Sequence, residues 1–580
     1  MRIRKTHQGL TVQAIAGSHV VLLGFNMARE DCDGLLGFAI HRTDHQEEEA
    51  NWLEGMKTFE ETDPGFGPGS TYQTNHHPIQ GFTWSDFTAK PGYKYTYKVQ
   101  ALTGTPASLQ VKAEVSVDVT TESEEGGNHD IYFNRGASAS QEYARRFKNK
   151  APGDEYDPED AKWAWLSRGA FEAILAFVAR AKDETFALRV AAYEFRLAPF
   201  AQALREASAE RDVDVRVVYD ANDNPPEEDG SVFPRDKNHK TARDASIKSR
   251  CKDRLTRPEV KSPPISHNKF IVLLQDGSPK AVLTGSTNYS LGGVFGQANV
   301  VHVVEDDKVA ASYLEYWELL NANTVHAELQ EKLTSARDIP QGKPPVGTIC
   351  IFSPRAEKDA LQWYQDLAKG AEDALFMTFA FGMNKLLLDV YKNGTAGLRY
   401  ALMEKLLRPG IKKEDKPAAE AEMIAMRKQV ENRISVGNRL VTNALDRWTN
   451  EKLTGLNTNV MYVHTKFMLV DPLGDDPIVI TGSANFSDAS SDKNDENMLV
   501  IRRNKRVADI YLGEYMRLWN HYAFREWVAA QRKKAEEAGV EASPETSEFK
   551  HLDATGRVWW KGYFGTTARS RQREYFSKAS

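Results

Sequence analysis

The chain has 580 residues, 41% of them apolar and 27% charged, the balance of a soluble globular protein and too long for one hydrophobic core. A formal net charge of -6 supplies no overall attraction to nucleic acid or anionic lipid, although a local basic groove remains compatible with either. No stretch approaches the length needed to span a bilayer, and the opening residues lack the apolar run of a secretion signal, so a cytoplasmic protein without a transmembrane segment is expected. Cys32, Cys251 and Cys350 lie far apart and fit neither a disulfide framework nor a zinc site.

Residues 1–120 read as short strands, at His19–Phe25, Leu35–Arg42, Tyr93–Thr103 and Leu109–Val119. Tyr93, Tyr95, Tyr97, Val99 and Ala101 alternate along the third, the period that turns one face of a strand to a core. This predicts a small all-β sandwich, a module that serves as a spacer or docks a protein or surface partner. Within it His76 and His77, with His41 and His45 nearby, lack acidic or cysteine partners at ligand spacing, so no metal is expected there.

Residues 121–129 form an acidic, glycine-containing linker. The pattern then changes to α/β. Phe171, Ile174, Leu175 and Val178 fall at helical spacing, and 213–219 is a β-branched run. Further on, a helical stretch at 361–367 precedes an apolar strand at 375–381. A proline-rich connector at 339–346 separates two segments, 130–338 and 347–545, and a tail at 546–580 carries the aromatic and basic run Arg557–Phe564. That run suits a strap over a core, a base-stacking platform or an interfacial anchor.

The two segments repeat one another. His267-Asn268-Lys269-Phe270 and Thr284-Gly285-Ser286-Thr287-Asn288-Tyr289-Ser290 recur as His464-Thr465-Lys466-Phe467 and Thr481-Gly482-Ser483-Ala484-Asn485-Phe486-Ser487, at a constant offset of 197. Internal duplication is the economical explanation. In His-x-Lys on a strand the imidazole and ammonium stand on one face, able to share a phosphate. The Gly-Ser-x-Asn turn adds a close backbone approach, a hydroxyl and an amide, so Ser286, Asn288, Ser483 and Asn485 are candidate phosphate-binding residues. Two copies face to face would set His267, Lys269, His464 and Lys466 around one anionic centre, with cationic side chains doing what a metal would otherwise do; no cofactor or metal is expected. One histidine can attack phosphorus while the other protonates the leaving oxygen, giving a phosphohistidine intermediate.

This doubled pattern resembles the phospholipase D superfamily, whose motif is His-x-Lys-x4-Asp followed by Gly-Ser-x-Asn, over roughly residues 130–545. The sandwich, more loosely, resembles a fibronectin type III or immunoglobulin-like module through Trp84 and its alternating tyrosines. The superfamily resemblance implies a fold of two α/β halves related by a pseudo-two-fold axis, and a phosphodiester substrate. Asp471 fills the motif aspartate as its support in the second copy; Leu274 replaces it in the first, with Asp276 two residues later. Glu496, 32 residues after His464, is similar to the acid that in the family orients the catalytic imidazole, and Asn299 is its counterpart after His267. Pairing within each copy would make His464 the more basic, hence the first general acid, and His267 the nucleophile, which is also the usual family order.

Two motifs in one chain tilt the substrate towards a phospholipid headgroup. Basic stretches at 235–261 and at Lys405, Arg408, Lys412, Lys413 and Lys416 tilt it towards DNA or RNA, and an inactive phosphate-binding scaffold is the remaining alternative. Asp220 and Glu404 end comparable strands and are left outside the catalytic set, as strand-end turn residues or cleft lining.

Overall fold

A computed structural model describes residues 1–65, 70–136, 141–148, 150–220, 234–245, 251–253, 264–336, 339–437, 462–537, 539 and 551–578. The N-terminal part is two four-stranded antiparallel sheets. One orders Arg2–His7, Leu10–Ala16, Val21–Asn26 and Thr83–Asp86; the other orders Ser108–Thr120, Lys94–Thr105, Gly37–Asp44 and Glu49–Trp52. Tyr95, Tyr97, Val99 and Ala101 all face the core between them, as their alternation requires. The first two strands escaped the sequence reading. Arg2–His7 is a largely exposed, charged edge strand, and Leu10–Ala16 is buried on both faces, with Leu10, Val12, Ala14 and Ala16 in the sandwich core and Ile15 in the core shared by the α/β halves.

The α/β part contains two seven-stranded sheets with one topology. In chain order, each runs first, seventh, sixth, fifth, second, third, fourth across the sheet. The central strand of each carries the His-x-Lys motif at its start, Lys269–Gln275 in the first half and Phe467–Val470 in the second. Both strands are apolar without interruption because both faces are covered. Phe270, Val272 and Leu274 point to one core while Ile271 and Leu273 point to another; Phe467 and Leu469, against Met468 and Val470, do the same.

The shared core lies between the two sheets and is filled by helices Asp307–Asn321 and Lys505–Glu537. The longer helix is tied to three parts of the molecule. The Tyr515 hydroxyl donates to the Met377 carbonyl of the second half (3.2 Å), the Tyr522 hydroxyl donates to the Gly136 carbonyl of the first (3.2 Å), and Asp509 accepts from Arg2 of the sandwich at 2.8 Å. No described helix is long and apolar enough to cross a membrane.

The C-terminal aromatic run closes the sandwich. Trp560 is buried in its core, and the Trp559 indole donates to the Leu35 carbonyl at 2.7 Å. Two glycines allow the close approach: at Gly556 (φ +64°) a Cβ would lie 2.6 Å from the Gly34 backbone, and at Gly24 one would collide with the Phe576 carbonyl. Of the three sequence alternatives for this run, the strap is the one realised. Cys32 is a buried free thiol and Cys350 is buried; the Cys251 side chain lies outside the described residues.

Candidate active site

The halves meet through two isolated parallel β-bridges, Ser266 with Asp495 and Val463 with Ala298. Each joins the residue just before a motif histidine to the residue just before an orienter of the other half. Their hydrogen bonds are short: His267 N–H to Asp495 O at 3.0 Å, Asp495 N–H to Ile265 O at 3.0 Å, and Ala298 N–H to Tyr462 O at 2.7 Å.

This seam corrects the expected pairing. Glu496 is not beside His464, nor Asn299 beside His267. The Glu496 carboxylate binds His267 Nδ1 at 2.8 Å and the Asn299 carboxamide oxygen binds His464 Nδ1 at 2.9 Å. The cause is local: each orienter follows directly on a residue bridged across the two-fold, so its side chain falls on the opposite histidine. Asn299 is fixed in that orientation because its amide nitrogen donates to the Gly293 carbonyl at 2.7 Å, leaving the oxygen to accept from the imidazole. Both histidines therefore carry their proton on Nδ1, which leaves Nε2 as the ring nitrogen with a lone pair.

All four motif cations are buried and act on one another. Burial pushes the His267 pKa down to about 4, against the raising influence of Glu496 and with further lowering from Lys269 and Lys466. His464 is also held well below the usual imidazole range, first by burial, then by Lys466, Lys269 and His267. Burial lowers Lys269 to about 7, opposed by Glu496, Glu194 and Asp220, and Lys466 lies far below its ordinary value through burial and the charge of Lys269. Burial opposes the Glu496 charge, but His267 and Lys269 outweigh it and keep the carboxylate ionised. That each motif perturbs the other across the seam places both in a single electrostatic cluster. Each lysine donates back to the carbonyl of its own histidine, Lys466 to His464 O at 2.5 Å and Lys269 to His267 O, and Lys269 lies 5.1 Å from the Tyr193 ring.

The serines of the Gly-Ser-x-Asn turns depart from expectation. The Ser286 hydroxyl donates to Asn299 (2.8 Å) and accepts from the Val300 amide (3.1 Å), while Ser483 accepts from the Asn497 amide (3.0 Å). They hold the strands that carry the orienters, so their hydroxyls are engaged by protein and not left for a phosphate. Asn288 and Asn485 each bury a carboxamide oxygen without a hydrogen-bond partner, and their amide nitrogens are the groups able to donate to a phosphate.

Asp471 lies at the far end of its strand, where its carboxylate accepts from the amides of Glu372, Asp373 and Ala374 at 2.8–2.9 Å. Its motif role is to clamp the start of a neighbouring strand. In the first half Leu274 is instead buried in the shared core, and Asp183 fixes the corresponding turn by accepting from the Thr185 amide at 3.0 Å. Losing the aspartate therefore removes no contact to the four motif cations.

Asp220 and Glu404 prove to be supports. Asp220 accepts from Ser266 N–H at 2.6 Å and Glu404 from Val463 N–H at 2.9 Å, each fixing the residue before a motif histidine. Two further amides had no role assigned to them from the sequence. Asn497 donates to Asn268 across the seam (2.8 Å) and accepts from Thr284 (2.6 Å) and Tyr313 (3.0 Å). Asn134 accepts from Asn299 N–H (2.9 Å) and donates to the carbonyls of Val294 and Gln297, both at 2.7 Å. Only the equivalence of Asp220 and Glu404 as strand-end acids was visible beforehand; buried asparagines leave no periodic signal.

Residues 174–320 and 415–519 match the family model described as "Cardiolipin synthase, PLD-like domain". A search of curated proteins returned no match. Among solved structures, polyphosphate kinase from Porphyromonas gingivalis is similar at 10% identity over 57% of this chain and 43% of its own, less than half its length, with a TM-score of 0.37. Phosphatidylserine synthase of Haemophilus influenzae Rd KW20 is 13% identical over 67% of this chain and 94% of its own, TM-score 0.42. The phospholipase D family member Nuc from Salmonella typhimurium is 18% identical over 30% of this chain and 94% of its own, TM-score 0.22. Likenesses this distant say nothing about substrate. With the repeated motifs, the identical sheet order of the halves and the family match, the two α/β halves are phospholipase D-like domains.

Proposed function

We propose that the chain is a phosphodiesterase working through a covalent phosphohistidine, with His267 as nucleophile and His464 as general acid, then base. The observation that carries this reading is the exchange of orienters across the seam, which ties the two His-x-Lys motifs into one cluster. The role assignment keeps its direction while its reason changes. Glu496, by accepting the Nδ1 proton of His267, leaves Nε2 with a free lone pair and offsets the positive charge the ring acquires on bonding to phosphorus.

In the first step the bond from His267 Nε2 to phosphorus forms as the ester oxygen leaves, taking a proton from His464 Nε2. In the second, water attacks phosphorus and gives its proton to His464. The nitrogen–phosphorus bond breaks, releasing a phosphomonoester and restoring both imidazoles. His464, next to a neutral amide and two lysines, is neutral in the empty site. An arriving phosphodiester, as an anion, favours its protonation and that of both lysines, so the substrate helps to generate the acid it needs. Lys269, Lys466, Asn288 and Asn485 would hold the phosphoryl oxygens as charge builds in the transition state.

With bis(p-nitrophenyl) phosphate the leaving group needs no acid. His464→Gln should release about one equivalent of p-nitrophenol in a burst and keep an acid-labile, base-stable phosphoryl adduct, whereas His267→Ala should release none. Undiminished turnover by His267→Ala would overturn the proposal. The phospholipid reading keeps its support from two motifs in one chain, but the aromatic tail that would have served as an interfacial anchor is packed on the sandwich.

A further inference from the structure

The two rims of the cleft differ. Where the first half follows its second sheet strand with Tyr193-Glu194-Phe195-Arg196, the second half places Ala380-Phe381-Gly382-Met383. Phe381 is half-exposed there. Beside it, the chain leaving the next strand passes through Lys405, Arg408, Lys412, Lys413 and Lys416. All are exposed except the half-buried Arg408, and none has an ion-pair partner among the described residues. On the same half Lys369 pairs with Asp389 and Lys392 with Glu422. Glu414 and Asp415 share the surface of this loop; its third acid, Glu404, is buried on the Val463 amide.

The loop is anchored to the site at two points. Glu404 fixes the residue before His464, and Gly382 packs so tightly on the Leu407–Arg408 backbone that a Cβ would lie 2.3 Å from Arg408 N. Lys405 Nζ stands 5.9 Å from the centre of the Phe381 ring. An aromatic face flanked by unpaired cations suits a strand whose bases can stack while its phosphates track the charges. His267 and His464 are 4% and 7% exposed, so a scissile phosphate must reach below the surface to meet them.

We infer that the Phe381 and 405–416 rim is a binding surface for single-stranded nucleic acid, holding the part of the strand on the leaving-group side of the scissile phosphate. The inference rests on the phosphodiesterase reading above and adds the substrate class. The leaving group is placed on this side because the loop springs from the support of His464, the proposed acid.

The test measures binding and chemistry separately. Binding of a fluorescent single-stranded oligonucleotide to the His267→Ala protein is followed by anisotropy over a range of salt, beside Lys412→Gln/Lys413→Gln/Lys416→Gln and Phe381→Leu versions of the same protein. Loss of three phosphate contacts should weaken binding at least tenfold at low salt and reduce the slope of log affinity against log salt by about 2. Phe381→Leu should weaken binding with the slope unchanged. Unchanged affinity and slope in the triple variant would overturn the inference, as would loop-dependent binding to phosphatidylglycerol vesicles with none to the oligonucleotide. Hydrolysis of bis(p-nitrophenyl) phosphate by the wild-type protein separates the two failures. Turnover with loop-independent oligonucleotide binding removes only the rim; no turnover with loop-dependent binding removes only the reaction.

Discussion

His267 and Glu496 stand 229 residues apart in sequence and are joined by a 2.8 Å hydrogen bond, in a site where Glu496 is the carboxylate that touches a motif imidazole. Under the proposed mechanism its charge supports the ring most when that ring becomes cationic, in the step that forms the adduct. Glu496→Gln should therefore lower kcat about 100-fold with little change in KM, and should slow the p-nitrophenol burst in the His464→Gln background by a similar factor. A fall confined to KM would show that Glu496 serves substrate binding instead.

The pH profile follows from the same cluster. His267 must be unprotonated to attack, and burial holds its pKa at about 4, so activity should fall as pH drops through that value. Lys269 must be protonated to hold the phosphoryl group, and burial holds it at about 7, so activity should fall as pH rises through that value. For bis(p-nitrophenyl) phosphate, whose leaving group needs no proton from His464, the dependence of kcat/KM on pH reports the free enzyme and should be a bell with its maximum on the acid side of neutrality. Lys269→Arg should move the alkaline limb upward, since a guanidinium keeps its charge.

Asp471 separates structure from chemistry. Asp471→Ala removes three backbone contacts at a strand start and should cost about 1–2 kcal/mol of stability, read as a lower denaturation midpoint. The kcat of the folded fraction should be unaltered. A large fall in kcat would mean that this residue reaches the site after all.

Asn497 is expected to act as a positioning residue for Glu496. Asn497→Ala leaves Asn268 and Thr284 without their buried partner and loosens the seam beside Glu496. Besides lowering kcat about tenfold, it should move the acid limb of the pH profile down, because the raising influence of Glu496 on His267 weakens. A variant that loses stability while keeping the acid limb in place would confine Asn497 to packing.

What the sequence disclosed and what it withheld divide along one physical line. The histidines, lysines and asparagines of the motifs were legible because a duplicated spacing is a one-dimensional signal, and the tyrosine alternation of Lys94–Thr105 was legible because a half-buried strand repeats every second residue. The partner of each histidine was not. Distance along the chain favoured a neighbour within the same copy, whereas the contact is set by the bridges at Ser266 and Val463, which exist only once the halves are docked. The engagement of Ser286 and the strap by Trp560 were hidden or ambiguous for the same reason, being tertiary contacts made by residues with several plausible uses.

The bridges at the seam also bear on why this protein is one chain. If the halves were two identical molecules, symmetry would oblige both imidazoles to lean on the same kind of residue. Tethering lifts that obligation: a glutamate serves one ring and an asparagine the other, and the two imidazoles become permanently distinct. Covalent fusion thereby turns a twofold arrangement into a directional one.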